Sequence, residues 1–172
     1  MLVYLQMIQT ESDRSKFEEI YELYRDIMYA VAYKVLNNEH DAEDIVHHAF
    51  VKIAENITIF SDSKNPKTKS CVIIITKNTA IDLYRRRKKF SHIPHNDHHV
   101  GDHYEYTGTM GLARCIDKLP LKAQQILILR YHHGYSTKEI AGIMNLSVHN
   151  VYKTEERAKE KLKALCEEAG IL

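Results

Sequence analysis

A chain of 172 residues with 44% apolar content can bury one medium core or two small ones, and its formal net charge of +1 averages over however the charges are arranged along it. Three cysteines, Cys71, Cys115 and Cys166, odd in number and in no C-x-x-C pair, argue against a disulfide framework or a cysteine zinc site. No uninterrupted apolar run, that at 72–75 behind Cys71 included, approaches the roughly 20 residues that span a bilayer, and the N-terminus shows no basic, apolar and small-residue export pattern, so a cytoplasmic protein without a membrane segment is expected.

In chain order, Phe17, Ile20, Tyr21, Tyr24, Ile27, Met28, Val31, Ala32 and Val35 recur at spacings of three and four, which predicts one long amphipathic helix over 17–36 stopped by Asn37 and Asn38. Asp41 is the expected N-cap of a second helix, with Glu43 and Asp44 in its first turn and Ile45, Ala49, Phe50, Ile53, Ala54 and Ile57 as its apolar stripe. Residues 61–69, with Pro66 and three lysines, read as a loop before a third helix over about 70–89. The β-branched residues at 72–76 leave short strands as the alternative there, but 78–84 run without a breaker into five basic residues, Arg85, Arg86, Arg87, Lys88 and Lys89.

Periodicity then disappears. Residues 91–111 hold His92, His95, His98, His99 and His103, Pro94 and several glycines, and their three acidic and no basic residues give a charge of −3. This stretch is expected to be a flexible, acidic, histidine-rich linker between a domain at 1–90 and a second at 112–172. The expected fold class is all-α, two small helical domains of which the second contains a helix-turn-helix.

Within that second domain the pattern predicts helices over about 112–119 and 121–133, the latter closed by Gly134, and then a helix pair. Ser136 and Glu139 have capping-box spacing, Ile140, Ala141 and Met144 form an inner face, and Asn145-Leu146-Ser147 is a turn into a second N-cap. Ala141 is small enough for close crossing, Asn145 tolerates a left-handed backbone, and Leu146 and Val151 fill the angle between the helices. His149, Asn150, Lys153, Thr154 and Arg157 then lie opposite Val151, Ala158, Leu162 and Leu165, placed to reach base edges in a major groove, with Lys159, Lys161 and Lys163 available to phosphates. Glu155 breaks the apolar series and must either pair locally or sit at an edge. A plain helical hairpin with a solvated charged face is the alternative.

Residues 147–162 (SVHNVYKTEERAKEKL) resemble the region-four recognition helix of extracytoplasmic-function RNA polymerase sigma factors, and Leu119-Pro120 resembles the start of that region. Residues 41–50 (DAEDIVHHAF) resemble the region-two signature of the same family, and 78–82 (NTAID) followed by 83–89 (LYRRRKK) resemble the end of region two. The resemblance implies an alternative sigma factor that binds core RNA polymerase and directs promoter recognition, DNA melting and initiation. It implies core RNA polymerase as partner through its largest and second-largest subunits, with Asp41, Glu43, Asp44 and His47 as the core-binding residues and the acidic start of their helix docking on the coiled coil of the largest subunit. Lys64, Asn65 and Lys67, with Ser63, would contact the minus-ten element, where Asn78 would read a flipped base and Arg85, Arg86 and Arg87 would lie on duplex phosphates. His149, Asn150, Lys153, Thr154, Arg157 and Lys161 would read the minus-thirty-five element. An anti-sigma protein is a further partner class of the family.

The sequence departs from the family where Cys71 replaces a frequent tryptophan, Ile74 a usual basic residue, and Thr154-Glu155 a common Arg-Leu pair. A helix-turn-helix regulator that never engages polymerase is the competing function. A metal site on His95, His98 and His99 or His103 is a third reading, disfavoured because ligand pairs of regular zinc spacing are missing. No glycine-rich phosphate loop, nucleophile elbow or H-E-x-x-H occurs, so no enzyme, cofactor or resident metal is expected.

Overall fold

The computed structural model describes residues 2–90 and 110–171. Residues 91–109, and with them the histidines of the linker and of the metal reading, lie outside these. The chain divides into two compact units, residues 1–97 and 98–172. Every regular element among the described residues is helical, which settles the region around 72–76 as helix rather than strand. No described helix is long and apolar enough to cross a membrane.

The first unit contains α1 (Leu2–Leu5), α2 (Glu11–Leu36), α3 (Glu39–Glu55), a 3-10 turn (Ile57–Ile59) and α4 (Pro66–Phe90). Helices α2, α3 and α4 pack pairwise against one another. Their shared core takes Phe17, Ile20 and Met28 from α2, Ala49, Phe50 and Ile53 from α3, and Val72, Ile74 and Ile75 from α4, all essentially inaccessible to solvent. Phe50 lies against Tyr4, Phe17 and Tyr21, so the short α1, which periodicity did not predict, is held by aromatic contacts rather than by propensity.

Three helix starts differ from expectation, each for a local reason. Helix α2 begins at Glu11, six residues early, because the Thr10 side chain accepts the Asp13 amide at 3.1 Å. Helix α3 is capped by Asn38 and not by Asp41: Asn37 ends α2 in the left-handed conformation (φ 50°), and extended Asn38 then accepts the Asp41 amide at 3.0 Å. Asp41 thus sits inside the first turn. Helix α4 starts at Pro66, where a residue without an amide hydrogen fits best, and the Asn65 carboxamide accepts the Lys67 amide at 3.0 Å. The segment before it is pinned where the Tyr24 hydroxyl donates to the Ser63 carbonyl at 2.7 Å.

The second unit contains α5 (Met110–Asp117), α6 (Leu121–Leu127), α7 (Thr137–Met144) and α8 (Val148–Glu168). The predicted helix over 121–133 stays α-helical only to Leu127 and continues as a π turn, Ile128–His132, in which the His133 amide reaches the Ile128 carbonyl at 3.0 Å; Gly134 (φ 75°) then turns the chain. Leu119, Ala123, Leu127 and Ala158 form a cluster flanked by Leu162 and Leu165, fixing α8 against α6.

Inside α6, Gln125 is buried and neither its amide nitrogen nor its oxygen finds a partner among the described residues. An unsatisfied buried amide costs on the order of 1–3 kcal/mol. Gln125→Met, which keeps the unbranched shape, is therefore expected to stabilise the second unit by about 1–2 kcal/mol. The check is a urea titration in which only the transition of this unit moves.

Candidate nucleic-acid interface

The helix-turn-helix forms as its local chemistry dictates. Ser136 caps α7 through a complete box, its amide donating to the Glu139 carboxylate at 2.7 Å while its hydroxyl accepts the Glu139 amide at 3.3 Å. Asn145 takes the left-handed conformation (φ 52°), the Leu146 amide returns to the Ala141 carbonyl at 2.9 Å, and Ser147 caps α8 by accepting the Asn150 amide at 3.1 Å. Ile140, Ala141, Ile143 and Met144 of α7 and Val151 and Ala158 of α8 are buried, so the opposite face of α8 is left outward.

That outward face carries His149, Asn150, Lys153, Arg157 and Lys161, all exposed. Among the described residues, the side chains of His149, Lys153 and Arg157 make no hydrogen bond or ion pair within the protein, so their charge and donors are free for a ligand. Thr154 differs: it is half-buried and its hydroxyl donates to the Asn150 carbonyl at 2.7 Å, which spends it on its own helix. Lys161 lies about 20 Å along the axis from Val148 by helical rise, beyond the end that enters a groove, where phosphates rather than bases come within reach. Two exposed apolar residues of the same turns, Val148 and Tyr152, fall outside any reading based on polar side chains.

Glu155 pairs locally. It is buried in the stripe where a hydrophobe is expected, and it accepts the Tyr131 hydroxyl at 2.7 Å and meets Lys159 Nζ at 3.1 Å and Arg130 Nε at 4.0 Å. Lys159 also lies over the Tyr131 ring at 5.1 Å. Burial opposes the charge of Glu155, but the Tyr131 hydroxyl and the Lys159 ammonium outweigh it and hold the carboxyl below the usual glutamate range. A folded value below the unfolded one gives stability that is complete above the unfolded value and drains away as pH falls through the folded one. The second unit is therefore expected to weaken as pH drops below the usual value of about 4.3. Urea unfolding against pH checks this, and Glu155→Gln should flatten that part of the profile.

In the first unit the DNA residues expected from the resemblance are strung along one helix rather than gathered in a pocket. Lys64 and Asn65 precede α4 and Lys67 lies in its first turn, half-buried Asn78 follows Pro66 by about 18 Å of helical rise, and exposed Arg85, Arg86 and Arg87 close the helix about 10 Å further on. Lys52 of α3, which the sequence reading passed over, lies beside this line: its ammonium donates to Thr79 Oγ1 at 3.0 Å, and burial pushes its pKa down despite nearby Asp82. Cys71 and Ile74, two departures from the family pattern, are fully buried, so they alter packing and not the DNA-facing surface.

The acidic residues at the start of α3 divide. Glu43, Asp44 and His47 are exposed, and the His47 Nδ1 is 2.6 Å from the Tyr4 hydroxyl. Asp41 points inward and is gripped bidentately by Arg87, one bond measuring 2.6 Å from Nη2 to Oδ1 and the other running from Nη1 to Oδ2.

A capped helix-turn-helix with an uncommitted cationic face, in one chain with a separate helical unit whose longest exposed basic run ends one helix, defines a bipartite DNA-binding transcription protein. The family model described as Sigma-70 region 2 matches residues 20–90, and that described as Sigma-70, region 4 matches residues 109–162. The RNA polymerase sigma factor SigV of Bacillus subtilis (strain 168) is 30% identical over 141 residues, covering 78% of this chain and 81% of that protein. The ECF RNA polymerase sigma factor SigW of the same organism is 28% identical over 182 residues, covering 89% and 90%. The chain belongs to the extracytoplasmic-function family of RNA polymerase sigma factors. It is an alternative sigma factor that directs promoter recognition, and both regions in one chain disfavour a regulator that never engages polymerase.

Proposed function

We propose that this sigma factor divides promoter recognition between its two units. Residues 112–172 read the minus-thirty-five element through His149, Asn150, Lys153 and Arg157, with Lys161 on the flanking backbone. Residues 1–90 hold the minus-ten element, with Lys64, Asn65 and Lys67 on the displaced strand, Asn78 on a flipped base edge and Arg85 and Arg86 on phosphates. Residues 91–111 connect the two, so that each weak contact raises the effective concentration of the other. The observation that carries the reading is the set of exposed side chains at the capped N-terminal turns of α8 that the protein itself leaves unused.

In this reading Glu43, Asp44 and His47 face core RNA polymerase, where a carboxylate cluster seeks a basic partner. An anti-sigma protein would compete for the same exposed face. The chain works in the cytoplasm, needs no cofactor of its own, and leaves catalysis to the polymerase.

The test is transcription from a library of random promoters by purified core polymerase, with and without the chain, alongside direct measurement of core binding. Initiation that depends on the chain and converges on a two-part element supports the proposal. Duplex binding without core association or initiation would return the chain to the class of free-standing regulators.

A further inference from the structure

The polar face of α8 accounts for only part of what its first two turns expose. Val148 and Tyr152 are 51% and 55% exposed, and a spacing of four places them on one ridge, beside the parallel ridge of His149 and Lys153. Two other exposed apolar side chains of this unit have an identifiable place in the fold. Tyr131 bonds Glu155 through its hydroxyl and carries Lys159 on its face, and Ile171 lies against Gly111, whose position leaves 2.8 Å for an added Cβ. Neither Val148 nor Tyr152 has a hydrogen bond or ring contact outside α8 among the described residues. Val148 is the first residue of α8 after its Ser147 cap, at the helix end that projects farthest into a groove, and Tyr152 follows one turn later.

What would cover an apolar ridge there is set by its surroundings. It is continuous with His149, Asn150, Lys153 and Arg157, a polar and cationic border suited to base edges and phosphates rather than to the core of a protein interface. The Glu156 carboxylate one turn further along α8 raises the Tyr152 phenol pKa. In a major groove the one apolar feature of the base edges is the thymine 5-methyl group.

We propose that Val148 and Tyr152 form an apolar reading surface for thymine 5-methyl groups in the upstream promoter element, so that this sigma factor selects that element partly by methyl contact and not by hydrogen bonds alone. The proposal rests on α8 being the helix that reads this element.

The experiment uses holoenzyme assembled from core polymerase and the full chain, on the element that emerges from a random promoter library. Each thymine of the element is replaced in turn by deoxyuridine, which removes only the methyl group and leaves pairing unchanged. Loss of one buried methyl is expected to lower promoter binding about fourfold at one or two positions. In the Val148→Ser, Tyr152→Gln double variant the same substitutions should have no effect, while in Lys153→Ala their effect should persist on a weaker baseline. Both altered side chains are exposed, and thermal unfolding of the variant verifies that the unit remains folded. An element without thymine, indifference to deoxyuridine at every position, or an effect that survives unchanged in the double variant would each overturn the proposal. If Lys153→Ala and Arg157→Ala together leave promoter selection intact, it is the assignment of α8 itself that fails.

Discussion

Replacing Lys153 and Arg157 together by alanine is expected to lower initiation dependent on the chain by about 100-fold, with no loss of core binding. A good base or phosphate contact from such a side chain contributes roughly 1–3 kcal/mol, and the two residues lie one turn apart on the outward face of α8. Neither has an intramolecular partner among the described residues, so folding should not suffer, and the unfolding transition of the second unit should stay where it is. Salt provides an internal check. If both residues meet phosphates, the slope of log affinity against log salt should become shallower by about 2, whereas a base-reading role changes which sequences are selected and leaves the slope nearly intact. Binding of holoenzyme to the selected element between 50 and 200 mM salt, roughly the range over which such slopes are read, measures both. Unchanged affinity and unchanged selection would remove α8 from the interface.

The helix-turn-helix was legible because each of its parts is decided within a few residues: Ser136 with Glu139, Asn145 before Leu146, and Ser147 before Asn150 all act over a single turn. Where two local rules competed, the sequence reading took the wrong one. Asn38 and Asp41 are both good caps, and the choice fell to Asn38 because Asn37 had already ended α2 in a left-handed turn. Pro66 read as a loop residue when it was a helix start, since proline serves both uses. Glu155 left two readings open because its partners, Tyr131 and Arg130, come from a segment more than 20 residues away and are adjacent only once α8 has packed. The same limit applies to the candidate site. The uncommitted charges of α8 could be read from helical periodicity, whereas the pairing of Asp41 with Arg87 spans 46 residues and no local pattern announces it. Tyr152 was passed over because exposure, not residue type, is what makes it a candidate.

That long-range pair separates the acidic residues of α3 by experiment. Glu43 and Asp44 are exposed, so removing them together should weaken core polymerase binding roughly tenfold, most at low salt, without shifting the unfolding transition of the first unit. Asp41 should behave in the opposite way. Its carboxylate is buried within the first turn of α3 and closes a fork with Arg87, joining the start of α3 to the end of α4. Asp41→Ala releases a guanidinium whose side chain is already 58% exposed and can return to water, so the loss is the charge-assisted bond and its dipole contribution, about 1–2 kcal/mol after allowance for solvent screening. Arg87→Ala is expected to cost more, about 2–3 kcal/mol, because it strands a carboxylate whose side chain is only 10% exposed. Urea unfolding and core affinity measured on the same three variants give the decisive pattern. Stability should fall for Asp41→Ala and Arg87→Ala, and affinity should fall for the Glu43, Asp44 double variant. A loss of core affinity in Asp41→Ala at full stability would instead place Asp41 on the docking face, reached by the polymerase only after the fork with Arg87 opens.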